Sequence, residues 1–176
     1  MKNIKLKIIC FIVGFVVLPL SISCDDDRGY DDYDAGQTQL QPMSGEWFIN
    51  ITDEATGEVL VAHALHRTFD DNNGRLFISD RDYSDTTPPL SYFGWWLESR
   101  VDVNPQEMSF SGVNEENFAD GSLVNITDGI IIKNGGQSRT GVITDSIFFR
   151  AEFDYDPGTV LVFSGHKRTG FVEDEF

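Results

Sequence analysis

Side chains able to do chemistry are sparse in this sequence, and the pair with the most pointed spacing is Ser164 and His166, two residues apart in Phe-Ser-Gly-His. Residues two apart on a β-strand share a face, so a hydroxyl and an imidazole so placed are the start of a nucleophile with its general base. Acyl transfer also needs an acid to orient the imidazole. No carboxylate of matching parity lies on that run, and no Gly-x-Ser-x-Gly elbow occurs. His63 and His66 are three apart, a spacing that gives two metal ligands on one face of a helix but sends them to opposite sides of a strand. His166 can join at most one of them. Asp71, Asn73 and Gly74 carry part of a calcium-loop spacing, but Phe69 takes the first ligand position and Asp80 the last, where a Glu is needed. A hairpin turn accounts for them. The expectation is no catalytic residue, no metal and no cofactor, with a Ser164–His166 hydrolase as the third of three functional readings.

The residue whose chemistry is expected to be used is Cys24. Residues 1–23 read as a lipoprotein signal peptide: Lys2, Lys5 and Lys7 precede an apolar run from Ile8 to Leu20, shorter than the ~20 residues of a membrane span. Ser21 and Ser23 then lead directly to Cys24. Leu20 stands four residues before the cysteine and Ser21 holds the place usually taken by Leu, so the processing box is a loose one. Cleavage there removes Cys10 with the leader, frees Cys24 for acylation by groups such as palmitate, and leaves no disulfide partner.

Residues 24–40 read as an acidic disordered tether, with Asp25, Asp26 and Asp27 followed by Asp31, Asp32 and Asp34 and no aliphatic side chain larger than Ala35 before Leu40. An acidic triplet behind a lipidated cysteine resembles the signal that sends Bacteroidetes lipoproteins to the outer face of the outer membrane. The expected location is therefore the outer membrane, lipid-anchored and facing the cell exterior. The chain has 13 basic and 29 acidic residues, and loss of the three leader lysines leaves 10 against 29, a net charge of −19. Nucleic acid and anionic membrane surfaces are poor partners for that field.

Residues 41–176 are enough chain for one core and too few for two. Turn residues recur at short intervals among runs rich in Val, Ile, Phe, Thr and Trp, and nothing reads as a long amphipathic helix. Trp47, Ile49 and Ile51 alternate with outward residues in a first strand over 44–52, and Gly45 is read as a tight turn ahead of the indole. Further strands are expected over 58–69, 75–80, 92–103, 107–113, 123–126, 129–134, 143–153 and 159–168. Asn104-Pro105 ends the strand over 92–103 and the strand over 107–113 returns, and Thr127-Asp128-Gly129 reads as a hairpin with Asn134-Gly135-Gly136 closing the run that follows. On 92–103, Trp95, Leu97, Ser99, Val101 and Val103 share a face; on 143–153, Ile147, Phe149, Ala151 and Phe153 do. On the last strand Val160 and Val162 are read as inward, and Arg168 shares their parity. The fold class is all-β: a single antiparallel up-and-down barrel of about eight strands after a disordered N-terminal tether.

Ser44-Gly45-Glu46-Trp47, Asp145-Ser146-Ile147-Phe148-Phe149 and above all Gly165-His166-Lys167-Arg168-Thr169-Gly170-Phe171 with Glu173-Asp174-Glu175 resemble a Bacteroidetes lipoprotein family labelled lipid-binding putative hydrolase. The likeness spans about 41–176, with Val172 standing where a Pro is expected. It implies a lipocalin-like barrel and carries over no catalytic residues. In lipocalin-like proteins a basic residue from the last strand covers the first-strand Trp, so Gly45, Trp47 and Arg168 are the expected structural set, with the Arg168 guanidinium on the Trp47 ring.

With 14 Phe, five Tyr and three Trp, an eight-stranded barrel can fill its interior or hold one small apolar ligand. The first reading is a membrane-anchored lipoprotein that binds a hydrophobic small molecule or lipid against Trp47, Trp95, Leu97, Phe149 and Phe153, admitted near 81–90 and 114–121. The second is a structural or adaptor surface lipoprotein whose filled barrel meets a protein or glycan, with Trp96 as the residue to watch. The sequence sets no oligomeric state. Cys24→Ser is expected to release the protein from membranes with loss of its acyl label; full retention in the membrane fraction refutes lipidation at Cys24.

Overall fold

Alternation of apolar and polar residues produces eight antiparallel strands that close on themselves in the computed structural model, which describes residues 38–175. They are β1 (Gly45–Asp53), β2 (Val59–Asp70), β3 (Leu76–Ser79), β4 (Glu98–Asn104), β5 (Ser109–Glu116), β6 (Leu123–Gln137), β7 (Ile143–Phe153) and β8 (Val160–Lys167). Neighbours in sequence are neighbours in the sheet, and β1 also pairs with β8. Closure leaves no open edge to recruit another chain. The expected all-β, eight-stranded, up-and-down barrel is what forms. The leader, Cys24 and most of the tether lie outside the described residues. Leu40, counted with the tether on composition, is 3% exposed and packs into the core.

Side chains fill the barrel. Trp47, Ile49, Ile51, Leu97 and Phe149 are wholly buried, Phe149 stacks on Phe163 at 4.5 Å, and Phe110 meets Phe149 edge-on at 5.7 Å. A side chain beside a cavity large enough for water keeps accessible surface, and these keep none. Trp47, Leu97 and Phe149, with Phe153 at 3% exposed, are packed in the core. At the lower end the 3-10 turn Gln41–Met43 plugs the barrel: the Trp47 Nε1–H donates to Thr68 Oγ1 at 2.8 Å, and the Thr68 hydroxyl donates to the Met43 carbonyl at 2.7 Å. Each buried polar group is satisfied by the next.

Two expected turns prove to be bulges. Thr127 pairs with Arg150 and Ile130 with Phe148, three steps against two, so Asp128 (φ 54°) is an extra residue inside one long strand. β7 runs unbroken opposite and holds both halves in register. Asn134 (φ 54°) is likewise a bulge, between Ile132 paired to Ser146 and Gly136 paired to Thr144. The expected strand over 92–103 begins only at Glu98, because Trp96 is left-handed at φ 56°.

The last strand faces the other way from the expectation. Leu161 and Phe163 are its buried residues, and Lys167, directly opposite Trp47, shares their parity. In Val160-Leu161-Val162-Phe163 both parities are apolar, so alternation could not choose between them. It is thus Lys167 Nζ that lies 5.6 Å from the Trp47 ring centroid, while Arg168 points outward and pairs with Glu46 and, at 2.6 Å, with Glu175. Gly45 serves this contact rather than a turn: a Cβ there meets Lys167 Cε at 2.6 Å.

That geometry makes the two positions energetically coupled. Lys167→Ala is expected to cost about 1 kcal/mol in urea denaturation, the range of a partly shielded cation–π contact with its stem packing. Gly45→Ala, destabilising in the native chain, becomes neutral or favourable once Lys167 is Ala. Strict additivity of the two refutes the contact.

Candidate functional site

The chain's three loops richest in aromatic residues or their partners meet at the upper end of the barrel: 80–97 between β3 and β4, 117–122 between β5 and β6, and 154–159 between β7 and β8. A groove of about 390 Å³ opens there, lined by Arg81, Pro89, Leu90, Tyr92, Trp96 and Phe118 with Glu98 at its floor. Two other surface hollows, near Phe110 and Gly129 and near Leu40 and Pro105, hold about 350 and 440 Å³. Neither gathers exposed aromatic rings, so the upper groove is the candidate.

Buried polar side chains build it. Asn117, wholly buried, takes the Glu98 N–H on its Oδ1 at 2.8 Å and gives Nδ2–H to the Trp96 carbonyl at 2.9 Å. Asp80 Oδ1 accepts the Leu97 N–H at 2.8 Å. The peptide unit that follows Trp96 is thus pinned on both faces, its C=O by Asn117 and its N–H by Asp80. This holds Trp96 in a left-handed conformation that a bulky residue adopts only under constraint. Its indole stands 52% exposed, stacked on Tyr92 at 5.3 Å. Phe118 forms the facing wall, stacked on Phe77 and lying 4.6 Å under the Arg100 guanidinium.

The floor is acidic but occupied. Glu98 accepts from the Tyr92 hydroxyl at 3.0 Å, the Tyr83 hydroxyl at 3.2 Å and Ser79 Oγ at 3.4 Å. Burial and then the Glu98 contact push the Tyr92 hydroxyl up to about 12, so it stays a donor. Trp95, expected as a ligand contact, is half-buried against the core and donates Nε1–H to the Tyr155 hydroxyl at 3.2 Å, tying two loops together.

Beneath the groove lie two groups that composition alone did not single out as a pair, His66 and Asp80. Both are wholly buried, and the His66 Nε2 and Asp80 Oδ2 atoms have no hydrogen-bond partner among the described residues. Gly94 seals them in, since a Cβ there meets Asp80 Oδ2 at 2.8 Å and His66 Cε1 at 3.0 Å. Burial raises Asp80 to about 6 against the opposing pull of the Leu97, Trp95 and Trp96 N–H groups, and lowers His66 to about 4.

The residues with catalytic or metal-binding spacing do not assemble. Ser164 lies opposite Asn50 and Phe148, and His166 opposite Phe48 and Ser146, both on the outer wall. Among the described residues no hydrogen bond joins Ser164, His166 and an acid. Burial lowers His166, and Asp174, which opposes that shift, already accepts from the Thr140 N–H and the Thr169 hydroxyl. His66 is inside the barrel, whereas His63 is outside, stacked on Phe48 at 4.0 Å and 6.2 Å from His166. Among the described residues no three His, Cys, Asp or Glu side chains are placed to hold a metal. Asp71 closes its hairpin by accepting from the Asn73 and Arg75 N–H groups.

A sequence model of the family described as lipid-binding putative hydrolase matches residues 32–172. No curated protein matches the chain.

The two buried groups give opposite pH signatures. A folded pKa raised above the unfolded one stabilises fully below the unfolded value and is lost as pH climbs through the folded value, so the Asp80 contribution fades between about 4 and 6. Asp80→Asn is therefore expected to be more stable than the native chain by on the order of 2 kcal/mol at pH 7, with the gain shrinking to nothing below about pH 4. The depressed His66 acts the other way, its contribution being lost as pH falls from about 6.5 towards 4. Chemical denaturation of both chains across pH 3.5–7.5 checks this; a gain that does not change with pH defeats the assignment.

Proposed function

We propose that this chain, which belongs to the lipid-binding putative hydrolase family, binds a hydrophobic small molecule or lipid in the groove at the upper end of its barrel, while a lipid on Cys24 anchors it to the outer membrane facing the cell exterior. The observation that carries the reading is Trp96. Two buried polar side chains hold a bulky residue in a left-handed conformation, and the result is an exposed indole stacked on a tyrosine beside Leu90, Pro89 and Phe118. Such backbone strain costs roughly 1–3 kcal/mol and persists where display of the side chain is selected. The groove's volume falls within the ~300–1,000 Å³ of ligand sites, and Pro89, Leu90, Trp96 and Phe118 share its wall with the polar ends of Arg81, Tyr92 and Glu98. The family description supports a lipid as the ligand class.

The solid interior favours a second reading, a structural or adaptor surface lipoprotein. A filled barrel offers only its outside, and Trp96, Tyr92 and Phe118 can stack on a sugar ring or a partner's side chain as well as on an acyl chain.

Titration of the full chain with N-phenyl-1-naphthylamine, whose emission rises in apolar surroundings, separates the two. Saturable binding is expected, weakened about fivefold or more by Trp96→Ala, the worth of one aromatic contact of ~1 kcal/mol. Unchanged affinity in Trp96→Ala removes the groove from the account. Absence of any saturable binding, with a glycan or protein partner that depends on Trp96, establishes the second reading instead.

A further inference from the structure

We infer that the ligand of this groove is an amphiphile with a single anionic head group, carboxylate or phosphate, and that Arg81 is the residue that reads it. The inference rests on the proposal that the groove is the binding site. Arg67, Arg75, Arg100, Arg150 and Arg168 are each ion-paired to a carboxylate. Arg81 meets none among the described residues, and its Nε is buried without a hydrogen-bond partner. In a chain with 29 acidic residues this is not for want of carboxylates nearby.

The neighbouring acids do not pair with it. Asp80 holds the Leu97 N–H on Oδ1 and keeps Oδ2 beside Gly94 and His66, Asp82 takes the Ser84 N–H at 2.9 Å and its hydroxyl at 2.6 Å, and Glu98 accepts from Tyr83, Tyr92 and Ser79. The Arg81 guanidinium is steadied over the Tyr83 ring at 5.1 Å, with Arg67 also against that ring at 5.3 Å. It lines the groove together with Leu90, Trp96 and Phe118. A cation whose side-chain donors meet no acceptor among the described residues, beside Leu90, Trp96 and Phe118, is the complement of an anionic head on an alkyl chain. A planar guanidinium matches carboxylate and phosphate through paired N–H donors. The same cation disfavours a quaternary ammonium head, which the aromatic rings alone would welcome.

The test is displacement of N-phenyl-1-naphthylamine from the full chain by decanoate, decyl phosphate and decanol, each below its micelle-forming concentration and at low salt. Both anions, or one of them, are expected to bind about tenfold tighter than decanol, the effect of one charge-assisted pair, and the tighter of the two identifies the head group. Arg81→Gln is expected to bring the anions to within twofold of decanol while the dye still binds saturably, which reports that the groove is intact. Arg81→Lys keeps part of the preference, and added salt reduces it. Equal binding of the three by the native chain, or an anion preference that survives Arg81→Gln, overturns the inference and leaves the groove as an apolar site. Failure of all three to displace the dye while the dye still binds through Trp96 overturns it too. Failure of the dye itself to bind brings down the groove reading first.

Discussion

Eight strands become a barrel only where the first meets the last, and that seam depends on a missing side chain. A Cβ on Gly165 lies 2.0 Å from the Phe48 carbonyl oxygen and 2.8 Å from the Ile49 Cα, so any other residue pushes β1 and β8 apart. Backbone cannot yield there as a flexible side-chain tip could. With the seam closed, Ile49 sits opposite Gly165 and Trp47 opposite Lys167, and the lower end assembles from that register. Lys167 covers the indole, Gly45 leaves room for it, and the Trp47–Thr68–Met43 relay draws the preceding 3-10 turn across the opening. Arg168, displaced to the outer face, joins Glu46 to Glu175 and so straps the C-terminal segment down, a partly exposed pairing that adds order more than energy.

A second recurrent device gives the wall its curvature. His63, Asn114 and Asn134 are bulged residues with φ between 52° and 57°, and the N–H of each is taken by a side-chain oxygen on the adjoining strand: Asn50, Asn125 and Asp145, at 2.8, 2.8 and 3.1 Å. A bulge frees a backbone donor from the ladder, and an Asn or Asp opposite keeps it from going unsatisfied. Gly129, beside the Asp128 bulge, packs so close to Phe110 that a Cβ meets its ring at 2.3 Å. Bends of this kind let long strands wrap a narrow cylinder, and a narrow cylinder of eight strands is filled by its own side chains.

Much of this was legible in the sequence, and the failures have physical reasons. The all-β class, the strands at 45–53, 59–70 and 143–153 and the inward face of Trp47, Ile49 and Ile51 follow from alternation, which reports burial directly. Alternation is silent where both parities are apolar, as in Val160 to Phe163, and there it cannot tell Lys167 from Arg168 as the cation that covers Trp47. Asp128-Gly129 and Asn134-Gly135-Gly136 have turn composition because bulges and turns ask for the same left-handed residues; only the partner strand decides between them. At the groove, Trp96 drew notice as an aromatic of outward parity. Arg81 and Asn117 do not stand out, and Asp80 does so only as the last position of a calcium-loop spacing, since a polar residue in a loop rich in acids reads as solvated until the fold shows it buried.

The location of the groove follows from the rigidity beneath it. A packed interior cannot rearrange around a ligand without losing contacts on every side, so recognition moves to the loops, where side chains can be exposed without opening the core. Loops alone fix geometry poorly. Here Asn117 and Asp80 carry the rigidity of β3 and β4 outward into them, holding one peptide unit from both faces. The arrangement leaves Asp80 Oδ2 and His66 Nε2 buried and, among the described residues, unpartnered, a local cost in stability borne directly beside the site. A raised Asp80 and a lowered His66 are the same cost expressed as proton affinity, and between about pH 4 and 6 their contributions run in opposite directions.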